Sequence, residues 1–186
     1  KILAEAMSEL RSEMGIDDMN MEGNEIIGGG WLSDCRIDTD IDAFIPDDYI
    51  NVAAEKMRLY RELDNMKTPD KVESFRGEMQ DRFGTIPQPL ENLMNIVLLR
   101  QKAIDLGFEK IILKNGLLIL YFVLDQNSSY YKSATFGSVL KYMDTSSHKI
   151  RMKQERSLHL VCENVRSAQK AVDILQEMLN LQFAEK

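Results

Sequence analysis

Glu78-Met79-Gln80-Asp81-Arg82-Phe83-Gly84-Thr85-Ile86-Pro87 reads as the end of one helix, a glycine stop and a proline restart. Upstream of the stop, Val72, Phe75, Met79 and Phe83 share one stripe. At about 100° per residue these four lie within about 80° of one another. Ser74 and Asp81 point nearly opposite, flanked by Gly77 and Glu78. The helix begins at Thr68-Pro69-Asp70, with a capping hydroxyl, a first-turn proline and an acid set against the dipole. Downstream, Pro87 opens a helix holding Leu90, Leu93, Met94, Val97, Leu98 and Ile104 that ends near Gly107. It is apolar on more than one face, which marks it as the central core helix.

Further out, Pro46 and Asp47 are read as opening a helix that runs to about Met66. Cys35, Ile37, Thr39, Ile41 and Ala43 alternate with charged residues, as in a half-buried strand or extended arm. On the other side, Ile111-Ile112-Leu113, then Asn115-Gly116, then Leu117 to Leu124 is a hairpin with a strong two-residue turn signal. Ser133 to Met143 reads as a short helix. Lys149 to Lys153 and Leu158 to Cys162 form a second hairpin, and Ser167 to Leu181 a final amphipathic helix. The fold class is therefore α+β: a helical N-terminal section of three or four helices, packed on a small antiparallel sheet of two hairpins with two further helices. Residues 1–14 form an amphipathic helix of their own. Residues 15–33 are a flexible connection closing on Gly28-Gly29-Gly30, and 34–186 are the main domain. The chain lacks a starting Met and opens inside a helical pattern, so it is expected to be part of a longer protein.

The 186 residues carry a net charge of −7 that is unevenly spread. Lys1 to Arg82 hold 20 acidic and 10 basic residues, and Phe83 to Lys186 hold 10 acidic and 13 basic. An acidic front half disfavours nucleic acid as a partner and favours a basic protein surface. No apolar run reaches membrane-spanning length, and no partner membrane is expected. Cys35 and Cys162 sit in apolar patterns and read as free buried thiols in a reducing compartment.

Few side chains are spaced for catalysis. Asp38, Asp40 and Asp42 share a strand face, but the glycine and closing glutamate of a calcium loop are missing. They read as a solvated face that discourages edge pairing. His148 and His159 have no ligand or triad partner at useful spacing. The triple glycine lacks the Lys-Ser/Thr of a phosphate loop. No catalytic, metal or cofactor-binding residue is assigned. What stands out is the helix face of Ser74, Gly77, Glu78, Asp81 and Arg82. Two acids lie in a last turn, where the dipole disfavours them, beside a helix-weakening glycine. Natural chains tend to break local rules at functional places. The bland alternative is a solvated face whose Arg82 pairs internally. A separate alternative is a nucleic-acid contact through Lys149, Arg151, Lys153 and Arg156 of the second hairpin.

Five blocks carry a resemblance. They are Ile45-Pro46-Asp47-Asp48-Tyr49-Ile50, Arg58-Leu59-Tyr60-Arg61-Glu62-Leu63, the opening stretch, Leu99-Arg100-Gln101-Lys102-Ala103 and Leu106-Gly107-Phe108-Glu109-Lys110. In this order and spacing they resemble the C-terminal domain of the bacterial transcription-repair coupling factor family. The match is good from about Ile41 to Lys110 and weak afterwards. It departs at Val52 and Lys56, where the family more often has Asp and Arg. The resemblance implies a parent that is an ATP-dependent DNA translocase, cytoplasmic, acting on stalled RNA polymerase and recruiting excision repair. It implies that residues 1–14 lead out of a motor whose ATP-binding motifs are absent here, so this chain is expected to be neither an enzyme nor a cofactor binder. It also implies that the domain folds back on an N-terminal module similar to UvrB and covers that module's UvrA-binding surface. Glu78 and Asp81 would there meet arginines, with Arg82 adjacent.

Overall fold

Asn115 and Gly116 both take positive φ, 54° and 73°, the backbone of the tight turn that their sequence predicts. The turn joins β2 (Phe108–Lys114) to β3 (Leu117–Phe122), antiparallel with Ile111 opposite Leu120. The computed structural model describes residues 31–184. The expected helix at 1–14 and the glycine run at 28–30 lie outside the described residues. Those described divide into two compact units, residues 42–98 and residues 31–41 with 99–184.

The first unit holds α1 (Ala53–Asp64), α2 (Pro69–Phe83) and the first part of α3 (Gln88–Leu106). Four expectations need correction here. Pro46 does not open the helix. Its carbonyl accepts from the amides of Tyr49 (3.1 Å) and Ile50 (3.0 Å), which closes a single turn. Ile50 is then buried, Val52 is extended (φ −92°, ψ 113°) and α1 starts at Ala53. The stripe of α2 is also shorter than its spacing implied. Val72, Phe75 and Met79 are buried, but Phe83, the last residue of the helix, is only half-buried, against Tyr49 at 5.7 Å between ring centroids. Thr68 occupies the N-cap in extended conformation but makes no capping hydrogen bond. Gly84 ends α2 at φ 86°, ψ −157°, a region open essentially only to glycine, though not the left-handed helical stop expected. As expected, α3 is buried on several sides, with Leu90, Leu93, Met94, Val97 and Leu99 inaccessible to solvent.

The second unit is built on one five-stranded sheet of order β1-β2-β3-β5-β4, with β1 at Arg36–Thr39, β4 at Ile150–Gln154 and β5 at Leu158–Glu163. The two hairpins are antiparallel as expected. The strand ahead of them is shorter than its alternation implied, and it joins the sheet parallel to β2, with Ile37 beside Ile111. Thr39 fixes this edge by donating its hydroxyl to the Leu113 carbonyl at 2.7 Å. After β3 comes a 3-10 turn (Ser129–Lys132), then α4 (Ala134–Thr145), capped by Ser133, whose hydroxyl accepts from the Phe136 amide at 3.2 Å. The final helix is α5 (Ala168–Ala184). One sheet face is apolar and buried through Ile37, Ile111, Leu118, Leu120, Leu160 and Cys162. Both cysteines are free and buried, and burial pushes the Cys162 thiol up to about 12.

Gly107 closes α3 at φ 82° beneath the buried Tyr130, whose hydroxyl donates to the Leu106 carbonyl at 2.6 Å. A Cβ at residue 107 would lie 2.2 Å from the Tyr130 ring.

Candidate functional site

With Val72, Phe75 and Met79 inward, the pitch of α2 turns Ser74, Gly77, Glu78 and Asp81 outward and leaves Arg82 at the edge of the apolar stripe, on the side of α1; all five are exposed. Arg82 is shared. One guanidinium nitrogen meets Glu78 Oε1 at 3.0 Å, one helical turn back, and the other meets Glu55 Oε1 on α1 at 2.9 Å. Arg58 also contacts Glu55 (2.9 Å) and reaches Glu62 (3.2 Å). A chain of alternating charge, Glu62–Arg58–Glu55–Arg82–Glu78, therefore crosses from α1 to α2. Hydrogen bonds from Arg58 and then Arg82 lower the Glu55 carboxyl to about 2, and those same carboxylates raise the pKa of Arg82. The internal pairing of Arg82 is thus real, but it engages Glu78 and not Asp81. Asp81 meets no cation among the described residues.

Tyr49 finishes the C-terminus of α2. Its hydroxyl lies 3.0 Å from the Met79 carbonyl oxygen and 3.1 Å from that of Gly84. Arg76, on the flank of α2, binds Glu91 of α3 at 3.1 Å. The acidic turn is thus braced from three sides: by Glu55, by Tyr49 and by the Arg76–Glu91 pair. A groove of about 360 Å³ lies beside it, lined by Glu62, Met66, Ser74, Phe75 and Glu78 among others. A Cβ at Gly77 would meet nothing within 4 Å.

The other candidates have local roles. Asp38 pairs with Lys114 at 3.0 Å, and Asp40 accepts from the Asn115 amide at 3.0 Å. Both acids thereby fasten β1 to the β2–β3 hairpin. Among the described residues no group of three or more His, Cys, Asp or Glu could hold a metal. His159 donates from Nδ1 to the Ser157 carbonyl at 2.9 Å. On the second hairpin, Lys149 and Arg151 both turn to Glu163. Lys56, one of the departures from the family pattern, is buried and paired with Asp47, while Val52 is 57% exposed at the N-cap of α1. The residues that the sequence reading missed are Glu55, Arg58 and Glu62. Their three- and four-residue spacing was visible, but the bond between Glu55 and Arg82, 27 residues apart, was not.

Among the described residues, five helices and a mostly antiparallel five-stranded sheet define an α+β domain with a charged helix face and no assembled metal cluster. Its fold is shared with a crystal structure of the C-terminal domain of transcription-repair coupling factor, at a TM-score of 0.67 and 17% identity over 82% of this chain and 98% of that one. The TRCF domain family model matches residues 39–133, and the chain belongs to that family. The transcription-repair-coupling factor of Rickettsia bellii is 29% identical over 158 residues, 84% of this chain and 13% of that protein. That of Escherichia coli K12 is 35% identical over 69 residues, 37% of this chain and 6% of that protein. The chain therefore spans 13% or less of the length of these relatives. No described helix is long and apolar enough to cross a membrane.

Proposed function

We propose that this chain is a non-enzymatic regulatory domain of a cytoplasmic transcription-repair coupling translocase. Through the α2 face it docks on the N-terminal UvrB-like module of the same polypeptide and masks that module's UvrA-binding surface. Release during repair admits UvrA, and RNA polymerase is reached only through the rest of the parent. ATP belongs to the parent's motor, and no cofactor is assigned to this chain.

The observation that carries the reading is Asp81, an exposed carboxylate without a cationic partner among the described residues, at the end of a helix where the dipole repels it. A basic surface would relieve that repulsion on docking. Glu78 is half committed to Arg82, so Asp81 is the stronger docking contact. A fully exposed pair gives less than about 1 kcal/mol. Masking needs a coupling of about 1–3 kcal/mol, or roughly 5- to 150-fold in affinity. The contact must therefore exclude water around both carboxylates. The open surface at Ser74 and Gly77 lets a partner approach closely enough for that.

In the full-length protein, Glu78→Ala with Asp81→Ala is expected to raise UvrA affinity within that range while leaving the melting temperature of the domain nearly unchanged. A folded double variant with wild-type UvrA affinity would defeat the proposal. In a trans assay, Asp81→Ala alone should weaken binding of this chain to the N-terminal module more than Glu78→Ala alone.

A further inference from the structure

We propose that the outer face of the sheet binds single-stranded nucleic acid along one row of side chains that crosses all five strands. Strand register sets the row: Arg36 beside Lys110, Lys110 beside Tyr121, Tyr121 beside His159, and His159 beside Lys153. Their neighbours in sequence, Ile37, Ile111, Leu120 and Leu160, form the buried inner face, so the row lies on the opposite side. At ~4.8 Å between strands it is about 19 Å long.

The row has two chemical parts. At its centre the rings of Tyr121 and His159 stack, with centroids 5.0 Å apart at 29°. His159 is itself buried and is fixed by its bond to the Ser157 carbonyl, so it backs Tyr121, which is partly open to solvent and is the ring on offer to a base. Around the pair stand Arg36, Lys110 and Lys153, with the Lys110 ammonium 5.4 Å from the Tyr121 ring centre. The acids of the same face are already engaged, Asp38 by Lys114 and Glu163 by Lys149 and Arg151. Arg36, Lys110 and Lys153 meet no carboxylate among the described residues. Ile112 and Ile119, one row further along, are partly exposed and extend the platform with apolar surface.

Cations without carboxylate partners, set around an aromatic pair, match a ligand that carries both phosphates and flat rings. An acidic peptide would satisfy the cations and leave the ring platform unused. The chain's overall acidity does not oppose this, because its acidic excess lies before Arg82 and the residues after it are net basic. The site shares Lys153 with the basic set of the second hairpin but not Lys149 and Arg151, which Glu163 takes up at the open end of that hairpin.

The test is fluorescence anisotropy of the 186-residue chain with a labelled oligothymidylate. Three phosphate contacts predict affinity falling roughly 20-fold between about 50 and about 200 mM salt. Tyr121→Leu, which keeps apolar bulk, should weaken binding roughly tenfold, and Tyr121→Phe should restore it. Lys110→Ala with Lys153→Ala should weaken binding by about tenfold and flatten the salt slope. Circular dichroism and melting curves establish that each variant is folded. Failure to bind at low salt overturns the proposal, as does wild-type binding by the folded Tyr121→Leu variant. Competition by polyglutamate as effective as by unlabelled oligonucleotide also overturns it, and would identify an acidic peptide as the occupant.

Discussion

Gly107 and Gly77 both lie within or just after helices, yet their surroundings are opposite. At Gly107 the backbone is at φ 82° and the Tyr130 ring presses where a Cβ would stand. At Gly77 no positive φ is imposed and the space is open. The first glycine is required by the fold. The second weakens a helix without any return inside the described residues, so a reason for it has to be sought in what approaches α2 from outside. A residue that folding does not need is a better pointer to a partner than one that it does.

The widest separation between the two sites comes from alanine at each. Gly107→Ala forces an L residue to positive φ and drives Cβ into a buried tyrosine, and should destabilise by about 3 kcal/mol or more. Thermal denaturation would register this as a drop of many degrees in Tm. Val52→Asp tests another position that the fold leaves open. Val52 caps α1 without a side-chain hydrogen bond, and an aspartate there should add about 1 kcal/mol, read from a urea midpoint. Gly77→Ala should add roughly 0.5–1 kcal/mol by the same measurement and weaken docking to the N-terminal module. A Gly77→Ala variant less stable than wild type would erase the contrast. The smallest effect is on pH. Glu55 is depressed from 4.5 to about 2, so its contribution is complete above about 4.5 and disappears as pH falls towards 2. Carboxyl NMR should show Glu55 titrating near 2, and Arg82→Ala should move that midpoint upwards.

Much of this arrangement was legible in the residues, for local reasons. Asn115-Gly116 specifies its turn through backbone sterics, Ser133 caps α4, and three members of the Val72 stripe point inward through helical pitch alone. The misreadings arose where distant groups decide. Pro46 looks like a helix start, but burial of Ile50 and the reach of the Tyr49 hydroxyl to the Met79 and Gly84 carbonyls end the turn. The alternation after Cys35 gives a strand without naming its neighbour, and the parallel seat beside β2 follows from Thr39 and Asp40 meeting residues about seventy positions later. At the candidate site, the exposure of Glu78 and Asp81 followed from pitch. The division of roles between them did not, because it depends on Glu55 drawing Arg82 across from α1.

The seat of β1 has a consequence for how the molecule is made. The strand leaves the ribosome 74 residues ahead of the segment that it must pair with, judged by Thr39 and Leu113, and the whole of residues 42–98 emerges in between. The helical unit can form while its flanks are still unpaired, whereas the sheet must wait for a long loop to close. Fragments that begin after residue 41 would keep every residue of β2 and β3 yet present β2 as a bare edge, inviting the chain-to-chain pairing that β1 normally prevents.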